Sequence, residues 1–316
     1  MAYNIVIVGA GQLGSRYLQG LAAYPDPLNI QVIDISNGSL DRAKEIWEKT
    51  ANADSHALQL SNNFESIPAQ TDLAIISTGA DVRESIVSLL VKKSNVDNWL
   101  LEKVLAQSTA SVNRIESLIG DRSKAWVNTY FRTMDWFKDI RERSAPGPIE
   151  MKVIGGSWGI GCNGIHFLDF AAWWSGEEMT TIDNSGLLPD WYPAKRKDFL
   201  EVNGTLMAAF SGGSTAALIS HEPVEHFVIK VKTKAEEWMI DWENNVATRN
   251  DGFVLSGKIP YQSEMTKNVA ADILLRQESA LPTLQMSAKL HCPFLDSLVD
   301  HWNKSHSDKK EYVPIT

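Results

Sequence analysis

The sequence predicts a doubly wound parallel α/β domain followed by an α+β domain with a large, mostly antiparallel sheet. Three observations carry this. Short apolar runs alternate with helical patterns over the first ~130 residues. A glycine-rich turn joins the first run to the first helix. After a turn-rich stretch at Ser144 to Glu150, the texture changes to longer strands with hairpin-like signals between them. A chain of 316 residues is long for one core, and its 44% hydrophobic content is enough to fill two. We draw the boundary after residue 131, giving a dinucleotide-binding domain at 1–131 and a substrate-binding and oligomerisation domain at 132–316.

The first run and turn, "YNIVIVGAGQLGSRYLQGLAAY" (Tyr3 to Tyr24), have the form of a buried parallel strand feeding a helix. The turn reads Gly9-Ala10-Gly11-Gln12-Leu13-Gly14, a G-x-G-x-x-G arrangement. Gly9 permits the tight turn, Gly11 lets a pyrophosphate approach the backbone, and Gly14 lets the helix pack closely on the strand. The next strand, "IQVID", ends in Asp34, about 20 residues on, where a carboxylate accepts hydrogen bonds from an adenosine ribose. The competing role for Asp34 is that of a loop residue capping the following helix. A carboxylate there disfavours a 2′-phosphate, and no Arg follows it in "DISNGS", so NAD is expected over NADP, with Arg16 and Arg42 the residues that could still reach a phosphate.

Strands are expected at His56–Leu60, Asp72–Thr78, Asn98–Lys103 and Ala125–Phe131, with helices at Asp41–Lys49, Val82–Val91 and Ala110–Ile119. Ligands of such a sheet sit beyond the carboxyl ends of its strands, so Gly9 to Gly14, Asp34, Ser77, Thr78, Gly79, Glu102 and Lys103 fall along one rim as the cofactor-binding set. Lys103 follows the apolar "WLL" and emerges at that rim, where it can act as an acid or hydrogen-bond donor. Its plainer role is a surface lysine paired with Glu102.

In the second half, "EMKVIGGSW", "FLEVNGTLMAAF", "TAALISHE", "HFVIKVKT" and "EWMIDWE" read as strands of an antiparallel sheet. "QMSAKLHCPFLDSLVDHWNKS" reads as an amphipathic helix interrupted near Pro293. Between them, "GIGCNGIHFLDFAAWW" predicts a helix from about Gly164 to Ser175, with Asn163 as N-cap and Gly176 just past the end. His166, Asp169 and Trp173 then share a face, and His166 in the first turn feels the positive end of the helix dipole, which suits a general base. Without a catalytic role, His166 is an ordinary polar residue at a helix start, with Asp169 as its partner. Of the eleven tryptophans, most are expected to pack cores and interfaces; Trp158 and Trp173 lie near His166 in sequence.

The early G-x-G-x-x-G, "EKV" at Glu102 to Val104, "YFR" at Tyr130 to Arg132, and Gly164, His166 and Asp169 together resemble the Gfo/Idh/MocA family. The resemblance implies an N-terminal Rossmann domain and an α+β domain whose sheet forms dimer or tetramer contacts. It also implies NAD(P)-dependent hydride transfer at a carbinol carbon of a sugar, cyclitol or nucleotide sugar. Lys103 and His166 would be the catalytic pair, with Cys162, Asn163, Asp169, Arg132 and Trp158 around the substrate. Two positions depart from the family pattern. Val104 stands where a proline, often cis, is common, and Cys162 stands where a carboxylate is common. These departures keep a second function open, a non-catalytic dinucleotide-binding regulator or scaffold of the same fold. A third is reduction of a non-sugar small molecule.

Composition excludes other classes. Acidic residues outnumber basic ones, 39 to 30, for a net charge of -9, so nucleic acid and anionic membrane are poor partners. Cys162 and Cys292 have no metal-ligand or disulfide spacing, and no metal is expected. The N-terminus runs directly into a strand, and no apolar run approaches the roughly 18 residues of a membrane span. A cytoplasmic location is the expectation.

Overall fold

The computed structural model describes residues 2–316, which form two compact units. The first comprises residues up to 106, 113–128 and 260–285; the second comprises 107–112, 129–259 and 286–316. The cut falls after Asn128, not after residue 131, and the chain returns to the first unit late, a crossing that a linear reading of composition does not reveal.

In the first unit, β1 (Tyr3–Val8) leads through the glycine turn to α1 (Gln12–Leu21), followed by β2 (Leu28–Ile33), α2 (Asn37–Glu48), β3 (Ala57–Ser61), β4 (Gln70–Thr71), β5 (Leu73–Ile76), α3 (Arg83–Lys93), β6 (Asn95–Val96), β7 (Asn98–Leu101), most of α4 (Thr109–Ile119) and β8 (Lys124–Val127). Six strands form one sheet in the order β3-β2-β1-β5-β7-β8, and all five pairings are parallel. The four residues of β5 and of β7 are all buried. Each apolar side chain so enclosed contributes about 1.5–3 kcal/mol. The chain order reverses across β1 and β5, so their carboxyl ends flank the switch point where ligands of such sheets bind. The eighth strand stops at Val127; Tyr130–Thr133 turn into a 3-10 helix, so the expected strand to Phe131 ends early.

The second unit adds α5 (Asp135–Arg143), β9 (Glu150–Gly155), α6 (Ile160–Ser175), β10 (Met179–Pro193), β11 (Leu200–Phe210), β12 (Thr215–Ser220), β13 (Val228–Lys232), β14 (Glu237–Asp241), β15 (Val246–Arg249) and β16 (Val254–Ser256). These eight strands pair in the order β10-β11-β12-β9-β13-β14-β15-β16, antiparallel throughout except for β12 against β9. Register places Leu206, Leu218, Val153, Ile229, Ile240 and Ala247 in one cross-strand row, and all six are fully buried. The neighbouring row, one residue along each strand, carries the exposed Met207 and Met239. Alternation therefore gives the sheet one core face and one outer face. Helix α6 lies on the core face, where Gly164 approaches Leu218 and Phe294 so closely that an added Cβ would lie 3.1 Å from the Phe294 ring.

The helix α7 (Gln262–Ala271) packs against α1 of the first unit, and the last helix, α8 (Leu284–Ser305), belongs mainly to the second. Contrary to expectation, α8 runs unbroken through Pro293. Proline forfeits one backbone bond there, and the burial of Phe294, Leu295 and Leu298 beside it offsets the loss. Among the described residues, no helix is long and apolar enough to cross a membrane.

Candidate active site

The glycine turn is shaped by close approaches. Gly9 has φ +99°, a left-handed conformation that only glycine adopts freely, and a Cβ on Gly14 would lie 1.7 Å from the Gly9 carbonyl oxygen. Gly11, by contrast, faces open space: apart from its chain neighbours, nothing among the described residues lies within 4 Å of where its Cβ would be. Gly11 is also the N-cap of α1, with no side-chain cap and no acidic residue in the first turn. The first amides of α1 are thus left for an anion, beside a cradle that a side chain would fill.

Asp34 closes the turn. Its Oδ2 accepts the Ala10 N–H at 2.7 Å and its Oδ1 the Ser36 N–H at 2.8 Å. Ser36, not Asp34, caps α2, its Oγ accepting the Ser39 N–H. From the end of β5, the Ser77 hydroxyl donates to the carbonyl of Gly9 at 2.8 Å, joining that strand to the same turn. Gly9 to Gly14, Asp34 and Ser77 are therefore brought together, as the parallel-sheet reading requires. A cavity of about 600 Å³ opens beside them, bordered by Gly11, Gln12, Arg16, Arg42 and Lys49. Arg16 donates to Gln19 and Arg42 to Ser39, both neutral partners.

Glu102 and Lys103 follow β7. Glu102 points inward, buried, and accepts from the Tyr17 hydroxyl and from Asn128 Nδ2. Burial pushes its carboxyl above the ordinary range, opposed by those two hydrogen bonds and by the charges of Lys103 and Arg83. The Lys103–Val104 peptide is cis. No motif in the sequence marks Arg83, which also belongs to this site. Fully buried, it donates to the carbonyls of Thr78, Val104 and Leu105, and so ties the loop after β5 to the loop carrying Lys103. Its one signal was a cation in the first turn of α3, where the helix dipole favours acids.

In the second unit, α6 starts at Ile160, a turn earlier than the sequence indicated. Gly159, at φ +84°, is the N-cap, and Asn163 lies inside the helix with its Nδ2 donating back to the Trp158 carbonyl at 2.9 Å. His166 is consequently beyond the first turn, where the dipole effect has faded. The side chain that does meet the helix start is Glu201 of β11, which the sequence reading did not single out. Its two carboxylate oxygens accept the Gly161 and Cys162 N–H groups at 2.8 and 3.1 Å. Added Cβ atoms on Gly159 and Gly161 would lie 2.6 and 3.0 Å from this carboxylate, so the two glycines make room for it. A carboxylate thus stands against Cys162 from a neighbouring strand, although the first turn of the helix supplies none.

His166 is buried, stacked on Phe131 at 4.9 Å between ring centres and edge-on to Tyr130 at 5.0 Å. Asp169 turns to Arg132: Nε and Nη2 donate to its two oxygens at 3.0 and 2.7 Å. Burial pushes the Asp169 carboxyl up to about 6, and the Arg132 charge holds it from rising further. Asp169 is only 1% exposed and this fork occupies that edge of Arg132, so neither is open to a substrate hydroxyl. Trp158 is committed as well, its Nε1 donating to the Ile219 carbonyl at 2.8 Å and its ring set against Phe167 and Phe227. Cys162 and Asn163 remain half-buried; Tyr192, close enough to Cys162 to interact with it electrostatically, is linked through Asn203 to Ser157 by hydrogen bonds. Among the described residues, no group of three or more His, Cys, Asp or Glu is placed to hold a metal ion.

The parallel Rossmann unit, the eight-stranded mixed sheet and the helix laid on it can be compared with known proteins. No protein-family model matches the sequence, and no curated protein sequence does. Solved structures do match along nearly the whole chain. UDP-N-acetylglucosamine 3-dehydrogenase GnnA from Acidithiobacillus ferrooxidans superposes with TM-score 0.74 at 13% identity, over 97% of this chain and 100% of its own. The fold is that of the Gfo/Idh/MocA oxidoreductases. An oxidoreductase from Agrobacterium radiobacter in complex with NAD+, L-tartaric acid and magnesium matches this Gfo/Idh/MocA fold with TM-score 0.74 at 12% identity, over 97% of this chain and 98% of its own. So does a super-repressor mutant of Gal80p from Saccharomyces cerevisiae, with TM-score 0.71 at 12% identity, over 98% of this chain and 100% of its own.

Proposed function

We propose that this chain is a nicotinamide-dependent oxidoreductase acting at a hydroxyl or carbonyl carbon of a sugar, cyclitol or nucleotide sugar. One observation carries the proposal: the Gly9–Gly14 turn, with its uncapped helix start and open Gly11, is latched to the Asp34 carboxylate. These groups fit a dinucleotide, the α1 amides holding its pyrophosphate and Asp34 its adenosine ribose through the remaining lone pairs. NAD is the cofactor in this reading, since Asp34 would face a 2′-phosphate with like charge. When bound, the cofactor supplies a hydride acceptor or donor. Lys103 donates a hydrogen bond to the reacting oxygen, and the His166 imidazole takes the hydroxyl proton during oxidation and returns it during reduction. Glu102 and Arg83 position Lys103 through the loop that carries it. Cys162, Asn163 and the Tyr192–Asn203–Ser157 group offer the donors and acceptors that a polyol needs. Arg132, Asp169 and Trp158 take supporting places here, because protein groups already engage them.

The same reading carries dimer or tetramer formation through the outer face of the eight-stranded sheet, where Met207 and Met239 are exposed. The test of function is turnover with sugars, cyclitols and nucleotide sugars followed by nicotinamide absorbance: a change with one class supports it, and silence with all of them contradicts it. A second reading, a dinucleotide-binding regulator, draws on the shared fold of Gal80p and on the thiol at Cys162. Tight NAD binding without turnover, together with a stable protein partner, would select it.

A further inference from the structure

The second unit holds a cavity of about 480 Å³ alongside the C-terminal half of α6, away from the helix start at Cys162. Arg132 and Asp169 line it, with Trp173, Met179, Met286 and Lys289 among its walls. The Arg132 side chain is 8% exposed, and two of its three nitrogens, Nε and Nη2, bind Asp169. Among the described residues, Nη1 has no hydrogen-bond partner, yet it is not one of the sealed unpaired atoms. A nearly buried guanidinium therefore keeps one edge available at a cavity.

The hydrogen-bonding capacity around this cavity is uneven. Both Asp169 oxygens accept from Arg132. Both Glu177 oxygens are taken, by Gly212 N–H at 2.7 Å and by the Ser214 hydroxyl at 2.6 Å. Glu178 is largely exposed and pairs with Lys289 at 2.6 Å, the one bond that this ammonium makes. The enclosed carboxylates are committed, whereas Arg132 Nη1 and Lys289 Nζ retain donor capacity. The remaining walls are apolar: Ala172, Leu290, the two methionines and the Trp173 ring, whose face is covered by the Arg141 guanidinium at 4.8 Å. Met side chains adapt to varied shapes.

We infer that this cavity binds a small carboxylate with an apolar body, its oxygens on Arg132 Nη1 and Lys289 and its body between Trp173, Met179 and Met286. The site requires no cofactor and is independent of the hydride-transfer reading.

The test uses the full-length chain labelled with 13C at the methionine methyls, with benzoate as probe and benzamide as its neutral counterpart. The Met179 and Met286 signals are assigned by Met→Leu substitution. Benzoate is expected to shift both with a dissociation constant of about 1 mM or tighter, and benzamide to bind about tenfold more weakly. Ala172→Phe, which fills the cavity, should abolish the shifts. Lys289→Glu, at an exposed rim position that does not endanger folding, should weaken benzoate by about tenfold. Absence of shifts at saturating benzoate, equal binding of benzamide, or benzoate shifts unchanged in Lys289→Glu would overturn the inference.

Discussion

The Asp34 carboxylate accepts the backbone N–H of Ala10 at 2.7 Å, so the end of β2 and the turn after β1 are held together by one side chain. The second oxygen, on the Ser36 N–H, fixes the carboxylate plane. The residue that the proposed function assigns to the ribose therefore also shapes the glycine turn. Asp34→Ala should weaken NADH by about tenfold to a hundredfold, the loss of one or two hydrogen bonds to a charged group. It should weaken NADPH less, because like-charge repulsion is relieved. Calorimetric titration with both cofactors checks the difference; equal losses would remove Asp34 from cofactor selection.

Gly14 admits no side chain, since a Cβ would sit 1.7 Å from the Gly9 carbonyl oxygen. Gly14→Ala should displace the turn and lower stability by about 1–3 kcal/mol. Gly11→Ala meets no protein atom and should leave stability nearly unchanged while impairing NADH binding. Paired melting and cofactor titrations separate these effects, and a Gly11→Ala protein that binds NADH normally would argue against a pyrophosphate over that residue.

Arg132 and Asp169 form a buried pair, and breaking it leaves one charge uncompensated. Arg132→Met should cost about 3–5 kcal/mol, read from denaturant unfolding. Because burial raises the Asp169 carboxyl to about 6, the folded state holds its proton more tightly than the unfolded chain does. The stabilisation from that proton is complete below the unfolded carboxyl range and disappears as pH rises through about 6. Melting curves across this window should show a fall in native stability relative to Asp169→Asn. A flat difference would mean that Asp169 does not titrate there.

Glu201 caps α6 from β11 by accepting the Gly161 and Cys162 amides. Glu201→Ala should lower stability by about 0.5–2 kcal/mol, in the range of other lost caps. Glu201→Gln retains one acceptor and should lose less. An unchanged melting temperature in Glu201→Ala would exclude the capping role.

The parallel half was legible because its signals are local. Buried strands such as "LAII" and "NWLL" are uniformly apolar, and the glycine turn has fixed chemistry at fixed spacing. The long strand β10 was missed: "MTTIDNSGLLPDWYP" contains Gly186 and Pro189, is mostly exposed, and lies at the sheet edge with register shifts, so alternation does not mark it. The start of α6 lies a turn before the expected one for a related reason. Asn163 had the composition of a cap, but the cap carboxylate came from Glu201, nearly forty residues later and on another strand. Likewise, spacing in the sequence pairs Asp169 with His166 three positions away, whereas its partner in the fold is Arg132. Long-range polar pairings leave no periodicity in a sequence, and the candidate site is built largely from them.

Hydride transfer dependent on Lys103 is the decisive measurement. With NAD and a panel of sugars, cyclitols and nucleotide sugars, the native chain should develop reduced-nicotinamide absorbance with one class of substrate. Lys103→Ala should lose that signal while still binding NAD. Native binding of NAD without turnover on any member of the panel, or undiminished turnover in Lys103→Ala, would contradict the proposed chemistry.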